Sequence, residues 1–469
     1  MKAVDTVENK TFDEIEIGMQ AELSRTLTSD EIAKFAIVSG DINPTHLDDK
    51  FAEQTPAGRV VAHSMWGGAL ISSVLGTILP GPGTVYVRQT LNFIHAAHRD
   101  ETITARVQVR EKNAANQTIL LHCLCVNEAG ETILEGEAEV RAPAAKHAID
   151  VSELPQLQIQ RRNHFARSIE LTRAIPAIRT AVAHPCAASA LEAVVDAAEE
   201  EIITPILVGP RHKIERIAAE HELDICGFEL IDAPHSHAAA EQAVSLVRAG
   251  RADLLMKGSL HTDELLGPIV NKTTGLRTER RISHVFIMDV ATYPRLLFIT
   301  DAAVNIFPDL MTKADIVQNA IDLAQALGNE RPKVAIVSAV ETVNPKIPST
   351  IDAAALCKMA ERGQITGGLL DGPLALDNAI SLEAARVKEI TSEVAGCADV
   401  LLAPDLEAGN MLAKNLSFLA NADAAGILLG ARVPVVLTSR ADKLRAKLAS
   451  CAVAAIYAHA LKQPKAPAE

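Results

Sequence analysis

The sequence predicts a multidomain protein in which an α+β domain precedes a larger α/β domain. One long apolar helix and four segments of alternating apolar and polar residues occupy the first third of the chain. The pattern stops over residues 143–162, where prolines interrupt a stretch without period. From residue 163 short apolar strands alternate with alanine-rich helices. We therefore place a first domain at 1–142, a linker at 143–162 and a second domain at 163–469.

The composition restricts the classes of partner and compartment. The chain has 469 residues and a formal net charge of −14 without a long lysine and arginine block, so nucleic acid is not an expected partner. No apolar run reaches the ~18 residues of a membrane span, and the N-terminus lacks the pattern of a signal peptide. We expect a cytoplasmic protein that does not bind membranes. The seven scattered cysteines do not indicate disulfides, and Cys123 and Cys125 are predicted core thiols.

The elements of the first domain follow from capping signals and periodicity. Thr28-Ser29-Asp30-Glu31 has the pattern of a helix start, and this helix runs toward Gly40. A mostly buried helix is predicted from Met65 to Leu79, where Pro80-Gly81 ends it. Four strands follow, near residues 84–95, 102–110, 117–126 and 132–141. A buried helix followed by an antiparallel meander predicts a sheet wrapped around a helix.

The segment Ser39-Gly40-Asp41-Ile42-Asn43-Pro44-Thr45-His46 concentrates the chemistry of this domain. Gly40 and Pro44 break regular structure on either side of Asp41, which places the carboxylate on a tight turn. His46 follows five residues later, close enough to face the same volume. A carboxylate and an imidazole can share one water, one removing its proton while the other protonates the product. The residues alone leave a second interpretation open, in which Asp41 caps a turn and His46 is an exposed polar residue.

This segment resembles the signature of the MaoC-like, (R)-specific enoyl-CoA hydratases. The similarity continues through Arg59-Val60-Val61-Ala62-His63-Ser64-Met65 and Gly81-Pro82-Gly83-Thr84. The resemblance implies a hot-dog fold and makes Asp41 and His46 the acid–base pair, with the backbone N–H of Ser64 as the donor to the thioester oxygen. Ser64 stands where the family commonly has glycine. The resemblance also places Asn43 and Ser72 in the substrate site.

The second domain is predicted to have two α/β lobes with buried parallel sheets. Candidate strands include residues 206–208, 254–256, 285–288, 296–299, 334–337, 400–402 and 435–437, with helices at 187–200 and 239–249. In such folds ligands bind beyond the carboxyl ends of the strands.

Polar turns follow three of these predicted strands and the apolar pair Leu369-Leu370. They are Ser439-Arg440-Ala441-Asp442, Asp371-Gly372-Pro373, Pro404–Asn410 and Lys257-Gly258-Ser259. A serine and an arginine at a helix N-terminus can bind an anion through amide donors, helix dipole and guanidinium. Each turn taken alone is also compatible with an ordinary helix cap.

Several cofactor classes lack a sequence signal. The chain has no Gly-x-Gly-x-x-Gly after a strand, no Gly-x-x-x-x-Gly-Lys-Ser/Thr and no His/Cys spacing of a zinc site. We therefore expect no bound redox cofactor and no metal.

The second domain resembles the phosphate acetyl/butyryltransferases over nearly its whole length. The resemblance rests on Met256-Lys257-Gly258, Gly275-Leu276-Arg277-Thr278-Glu279-Arg280-Arg281, Asp301–Asn305, Asp371-Gly372-Pro373 and Ser439-Arg440. The family moves an acyl group between coenzyme A and phosphate. Carried over, Arg440 binds phosphate, Ser439 contacts the thioester, and Lys257, Arg277, Asp371 and Asp442 are candidate substrate-binding residues. The general base is unassigned, because Ala446 stands where the acetyl-type enzymes have an acid.

Together the two resemblances predict a bifunctional enzyme that acts on coenzyme A thioesters and phosphate. The alternative is a hydratase whose second domain only binds coenzyme A or mediates oligomerisation. Both families commonly form dimers, so we expect a homo-oligomer.

Overall fold

The computed structural model describes residues 6–150, 164–437 and 444–463. The chain divides into two compact units, residues 1–159 and 160–469. Each unit is described by itself.

Between residues 6 and 150, which the structure describes, the N-terminal unit contains seven strands and four helices. Its strands are β1 (Thr6–Glu8), β2 (Gln20–Thr26), β3 (Val85–Phe93), β4 (Thr102–Asn113), β5 (Thr118–Val126), β6 (Thr132–Arg141) and β7 (Ala148–Asp150). Its helices are α1 (Ser29–Ser39), α2 (Pro44–Leu47), α3 (Asp49–Glu53) and α4 (Ser64–Thr77). Five strands form an antiparallel sheet in the order β2-β4-β5-β6-β3.

The sheet packs around α4, as the hot-dog expectation requires. Trp66, Leu70, Ile71, Val74 and Leu75 of this helix are buried against the inward side chains of the strands. Cys123 and Cys125 are fully buried in this core, which confirms their prediction as core thiols. Gly67 allows the close approach of helix and sheet, because a Cβ there would lie 3.2 Å from a methyl of Leu134. The predicted helix and four strands are confirmed.

The ordered part of this unit extends into the predicted linker. β7 pairs in antiparallel fashion with β1 to form a separate two-stranded sheet. The first domain was predicted to end at residue 142, but β7, which pairs with β1 of the same unit, lies beyond that residue. The sequence pattern missed β7 because a three-residue strand is too short to show a period.

The C-terminal unit alternates strands and helices. Its strands are β8 (Ile178–Ala183), β9 (Ile203–Gly209), β10 (Glu229–Asp232), β11 (Leu254–Lys257), β12 (Ser283–Asp289), β13 (Leu297–Thr300), β14 (Lys333–Val337), β15 (Leu369–Leu374), β16 (Val400–Leu402), β17 (Asp423–Leu429) and β18 (Val435–Val436). Its helices are α5 (His164–Thr172), α6 (Ala188–Glu199), α7 (Arg211–Glu220), α8 (Ser236–Arg248), α9 (Thr262–Val270), α10 (Leu310–Ala326), α11 (Pro348–Glu361), α12 (Leu376–Ile380), α13 (Leu382–Val387), α14 (Leu406–Phe418) and α15 (Leu444–Lys462).

All of these strands belong to one 11-stranded sheet in the order β10-β9-β8-β11-β18-β17-β12-β13-β16-β14-β15. The five strands from β10 to β18 are parallel, as are the four strands from β13 to β15. Three consecutive antiparallel pairings join the two blocks through β17 and β12. The α/β class with parallel strands is confirmed, but the two predicted sheets are one mixed sheet.

The number of antiparallel pairings between the two parallel blocks decides at which edge of the sheet the strands of each block end. Because three reversals separate the blocks, the second block runs opposite to the first. The carboxyl ends of the two sets of parallel strands therefore lie at opposite edges of the sheet.

Among the described residues, no helix is long and apolar enough to cross a membrane.

Candidate active sites

The Asp41 turn of the N-terminal unit forms as the sequence predicts. Helix α1 begins after the cap Thr28, whose hydroxyl accepts from the N–H of Glu31, and ends at Gly40 in the left-handed conformation (φ 74°). The Asn43 side chain caps α2 by accepting from the N–H of Thr45 at 3.1 Å. Asp41 itself accepts from the N–H of Asn43 at 3.3 Å. The carboxylate is exposed, and the side-chain oxygen of Asn43 serves as a cap.

His46 is oriented by the backbone that precedes α4. Its Nδ1–H donates to the carbonyl of Val61 at 2.9 Å. This hydrogen bond fixes the tautomer and leaves Nε2 available for proton transfer.

His63 joins Asp41 and His46, although the sequence analysis assigned it no role. Its Nε2–H donates to the backbone carbonyl of Asp41 at 2.8 Å, and its ring lies 3.9 Å from that of His46, centroid to centroid. One donor atom of each of the three side chains lies within 4.8 Å of the other two. Burial lowers the pKa of His63, with a smaller contribution from His46, while Asp41 acts in the opposite direction. His63 is thus a neutral third member of the cluster. The apolar run Val60-Val61-Ala62 before it was the available signal that this histidine is buried.

The start of α4 lies beside this cluster, because Ser64 follows His63 directly. Ser64 is the first residue of the helix, and the side chain of the preceding N-cap residue, His63, does not cap it. The first amides of a helix lack intrahelical acceptors and carry the positive end of its dipole. The Ser64 N–H is thus suited to an anionic oxygen.

Ser72 lies elsewhere on the same helix. It is eight positions beyond Ser64, about 12 Å along the axis, and is hydrogen-bonded to Tyr86 of β3. The structure therefore places Ser72 beside Tyr86 and not with His46 and His63. Burial raises the pKa of Tyr86, and the hydrogen bond from Ser72 partly offsets this effect.

In the C-terminal unit, Lys257 ends β11 as a buried cation. Gly258 follows because a side chain has no room there: an added Cβ would lie 2.5 Å from the carbonyl oxygens of Ala183 and His184. The Ser259 hydroxyl donates to the His184 carbonyl at 2.9 Å and lies 3.2 Å from its Nδ1. This contact joins the end of β11 to the end of β8.

His184 was missed because β8 was not among the predicted strands. The residue has a left-handed backbone (φ 54°), a conformation that costs energy for a residue with a side chain and recurs at functional sites. Burial and then the charge of Lys213 lower its pKa. A neutral imidazole therefore stands next to Lys257 at the carboxyl edge of the first parallel block.

The three arginines of the segment from Gly275 to Arg281 lie at the other edge of the sheet from Lys257. Arg277 forms a β-bridge with Ala431, in the turn between β17 and β18, whereas Lys257 lies at the end where β11 finishes. Arg280 pairs with Asp322, and Arg281 donates to the Asn305 side chain at 2.9 Å. Arg277 and Lys257 are therefore not brought together.

Asp371 is also separated from Lys257. It lies within the edge strand β15 and not in the predicted turn. Seven strand spacings separate β15 from β11, about 34 Å across the sheet. One small ligand cannot contact both within a single chain.

Ser439, Arg440 and Asp442 lie outside the described residues. The last described residue before this segment is Leu437, and its backbone carbonyl accepts a hydrogen bond from the imidazole of His284. Burial lowers the pKa of His284 to about 4.

These observations define a chain with two units. The hot-dog unit holds a cluster of one aspartate and two histidines at a helix start, and the α/β unit has a buried lysine at a sheet edge. Comparison with known proteins assigns each part. Residues 11–123 match the family described as MaoC like domain, and residues 235–455 match the family described as phosphate acetyl/butaryl transferase.

Individual proteins are similar to parts of this chain. The chain is 66% identical over 294 residues to a phosphate acetyltransferase of Rhizobium meliloti, covering 63% of this chain and 93% of that protein. A branched-chain phosphotransacylase from Enterococcus faecalis is 31% identical with a TM-score of 0.53, covering 60% of this chain and 99% of its own. The R-hydratase PhaJ1 from Pseudomonas aeruginosa is 37% identical with a TM-score of 0.32, covering 33% of this chain and 99% of its own. The chain belongs to the phosphate acetyl/butyryltransferase family and carries a MaoC-like domain before the transferase domain.

Proposed function

We propose that this protein is a bifunctional enzyme of coenzyme A thioesters. The N-terminal unit hydrates a trans-2-enoyl-CoA to an (R)-3-hydroxyacyl-CoA. The C-terminal unit transfers an acyl group between coenzyme A and phosphate. The observation that carries the first activity is the convergence of Asp41 and His46 beside the start of α4 in a MaoC-like domain. The second activity rests on the 66% identity to a phosphate acetyltransferase over 93% of its length.

Hydration needs one proton removed and one delivered. Asp41 and His46 share these tasks: one takes a proton from water as its oxygen bonds to C3, and the other protonates C2. The Ser64 N–H donates to the thioester oxygen, where negative charge develops. Because Nδ1 of His46 is occupied by the hydrogen bond to Val61, its Nε2 is available to exchange a proton with water or substrate. This favours an acid–base role for His46 over a merely structural one.

Acyl transfer needs a bound phosphate and a leaving thiolate. A phosphate oxygen attacks the thioester carbonyl, the C–S bond breaks, and coenzyme A leaves as a thiolate; the reverse reaction forms the C–S bond and releases phosphate. Arg440 is proposed to bind the phosphate in fork geometry, and Ser439 to contact the thioester. Lys257 adds a buried positive charge at the edge where β11 and β18 end.

Neither reaction, as proposed, uses a bound cofactor, because water, phosphate and the thioester supply every atom exchanged. Dialysis of the purified protein against a chelator should lower neither rate. A rate that falls and returns with added metal would contradict this part of the proposal.

Paired assays on the full chain test the proposal. With crotonyl-CoA, the absorbance of the conjugated thioester should fall as water adds. With acetyl-CoA or butyryl-CoA and phosphate, free thiol should appear only when phosphate is present. Hydration without phosphate-dependent thiol release would instead support the alternative, a hydratase with a second domain that binds but does not transfer.

A further inference from the structure

Asp41, His46 and His63 have the composition of a metal site as well as that of an acid–base pair. One possible ligand atom of each side chain lies within 4.8 Å of those of the other two, and the three residues come from separate elements: the turn after α1, helix α2 and the residue before α4. Two imidazoles and one carboxylate form a common ligand set for divalent transition metals. No sequence motif predicts this set, because His63 is 17 positions from His46 and meets it only in the folded unit.

The hydrogen bonds of the two imidazoles give independent support. A histidine that binds a metal through one nitrogen generally donates its other N–H to a carbonyl or carboxylate. His46 donates from Nδ1 to Val61, and His63 donates from Nε2 to Asp41, both to backbone carbonyls. Each ring therefore keeps one lone pair for a ligand, Nε2 of His46 and Nδ1 of His63.

The free nitrogen of His63 needs a partner. The residue is only 3% exposed, and its Nδ1 is buried without a hydrogen-bond partner among the described residues. Buried polar atoms of this kind are rare in folded proteins and often indicate an ion or water that completes the site.

We propose that Asp41, His46 and His63 bind one divalent transition-metal ion of the Zn²⁺ class. Imidazole nitrogens select such ions over Mg²⁺ and Ca²⁺, which prefer oxygen ligands. Ligands of a tetrahedral Zn²⁺ lie about 3.3 Å apart, so the side chains must close from a separation of up to 4.8 Å. The exposed carboxylate of Asp41 is free of packing that would oppose this movement.

Metal binding has a consequence for the hydration proposed above, and this second part rests on that function. The ion takes the lone pairs that Asp41 and His46 need for proton transfer. Bound Zn²⁺ is therefore an inhibitor of hydration and not a cofactor.

Titration of the chelator-treated full chain with Co²⁺ tests the binding site without using activity. Bound Co²⁺ should give visible absorbance, and His63→Gln should remove one tight equivalent or weaken it at least tenfold. Glutamine can keep the N–H donation to the Asp41 carbonyl while it lacks the ring nitrogen. His122→Gln, on the opposite face of β5 from the buried Cys123, is the matched control and should bind as the unmodified protein does.

A second variant protects the test against misfolding. Asp41→Asn changes an exposed side chain that retains an acceptor for the N–H of Asn43, and it should weaken Co²⁺ binding as well. If His63→Gln and Asp41→Asn both bind Co²⁺ with unchanged stoichiometry and affinity, the proposed site is wrong.

The hydration assay separates this inference from the proposed function. Zn²⁺ should slow loss of crotonyl-CoA, and EDTA should restore the rate. Zn²⁺ bound through His63 without inhibition would overturn the inhibitory role. If the metal-free protein shows no hydration, the hydratase proposal fails, while the Co²⁺ titration still decides the metal site.

Discussion

Asp41 is the residue on which the proposed hydration depends most directly. Its backbone is fixed by Gly40 and by the hydrogen bond from His63, while its carboxylate remains exposed. This combination of a fixed main chain and an accessible side chain is what proton transfer to a substrate requires.

Asp41→Asn should lower hydration by about 10²–10⁴-fold, the usual contribution of a positioned acid or base. The amide is nearly isosteric, so the fold should survive. The measurement is the initial rate with crotonyl-CoA, and phosphate-dependent thiol release serves as the control in the same chain. Full hydration by this variant would remove Asp41 from the mechanism.

Arg440 is the residue on which the proposed acyl transfer depends most directly. Arg440→Ala should raise the KM for phosphate, because a fork-shaped pair of donors to the anion is lost. Hydration should be unaffected. An unchanged phosphate dependence would place the anion site elsewhere in the C-terminal unit.

Gly258 tests the packing beside Lys257. Gly258→Ala should lower the free energy of unfolding by about 1–3 kcal/mol, because the new Cβ meets backbone carbonyls that cannot move independently. Gly227→Ala, in the turn before β10, is the matched control: apart from its chain neighbours no atom lies within 4 Å of its Cβ, so it should be neutral or stabilise by about 0.4–1 kcal/mol. Denaturant unfolding of both variants gives the comparison, and equal stabilities would contradict the packing argument.

Among the elements of the C-terminal unit, β12 lies between the two parallel blocks and pairs in antiparallel fashion on both sides. It pairs with β17 on one side and β13 on the other, and its His284 holds the carbonyl of Leu437. A buried neutral histidine thus connects the centre of the sheet to the end of β18.

The pKa of His284, lowered by burial to about 4, predicts a pH dependence of stability. In the unfolded chain the ordinary value is about 6.5, so the unfolded state binds more protons between these values. The contribution of neutral His284 to the free energy of unfolding is complete above pH ~6.5 and is lost as the pH falls toward 4. The loss is about 2 kcal/mol between pH 7 and pH 5.

Unfolding of His284→Gln and of the unmodified protein at pH 7 and pH 5 measures this effect. The loss of stability at pH 5 should be smaller in the variant. His212→Gln, an exposed histidine on α7, should leave the pH dependence unchanged. An equal slope in all three proteins would show that His284 is not the titrating group.

At the scale of the whole molecule, the surface of the N-terminal unit predicts self-association. Strand β3 is one of the two edges of the sheet, and its Val85, Val87 and Phe93 are about half exposed (57%, 51% and 50%). An apolar edge strand presents unpaired backbone groups that a second copy can pair with.

Light scattering of the full chain should therefore show a homo-oligomer. Val87→Lys should reduce the mass by placing a charge on the edge strand. Glu128→Lys, an exposed position outside β3, should leave the mass unchanged. A monomeric unmodified protein would contradict the prediction.

The sequence by itself determined the features that depend on neighbouring residues. The period of apolar residues predicted α4 and the four strands of the meander, and the capping pattern at Thr28 predicted the start of α1. The sequence could predict that Asp41 and His46 lie close together, because only five positions separate them. In each case the physical signal, burial of one face or a local hydrogen bond, lies within a few residues of its cause.

Only the tertiary structure decided the features that depend on which segments meet. His63 joins the Asp41 site through contacts across the fold, and Asp371 is removed from Lys257 by the order of the strands. An apolar strand shows that it is buried but not which strand it pairs with or in which direction. The reversal between the two parallel blocks, and with it the edge at which each polar turn lies, therefore follows from the pairing of distant strands.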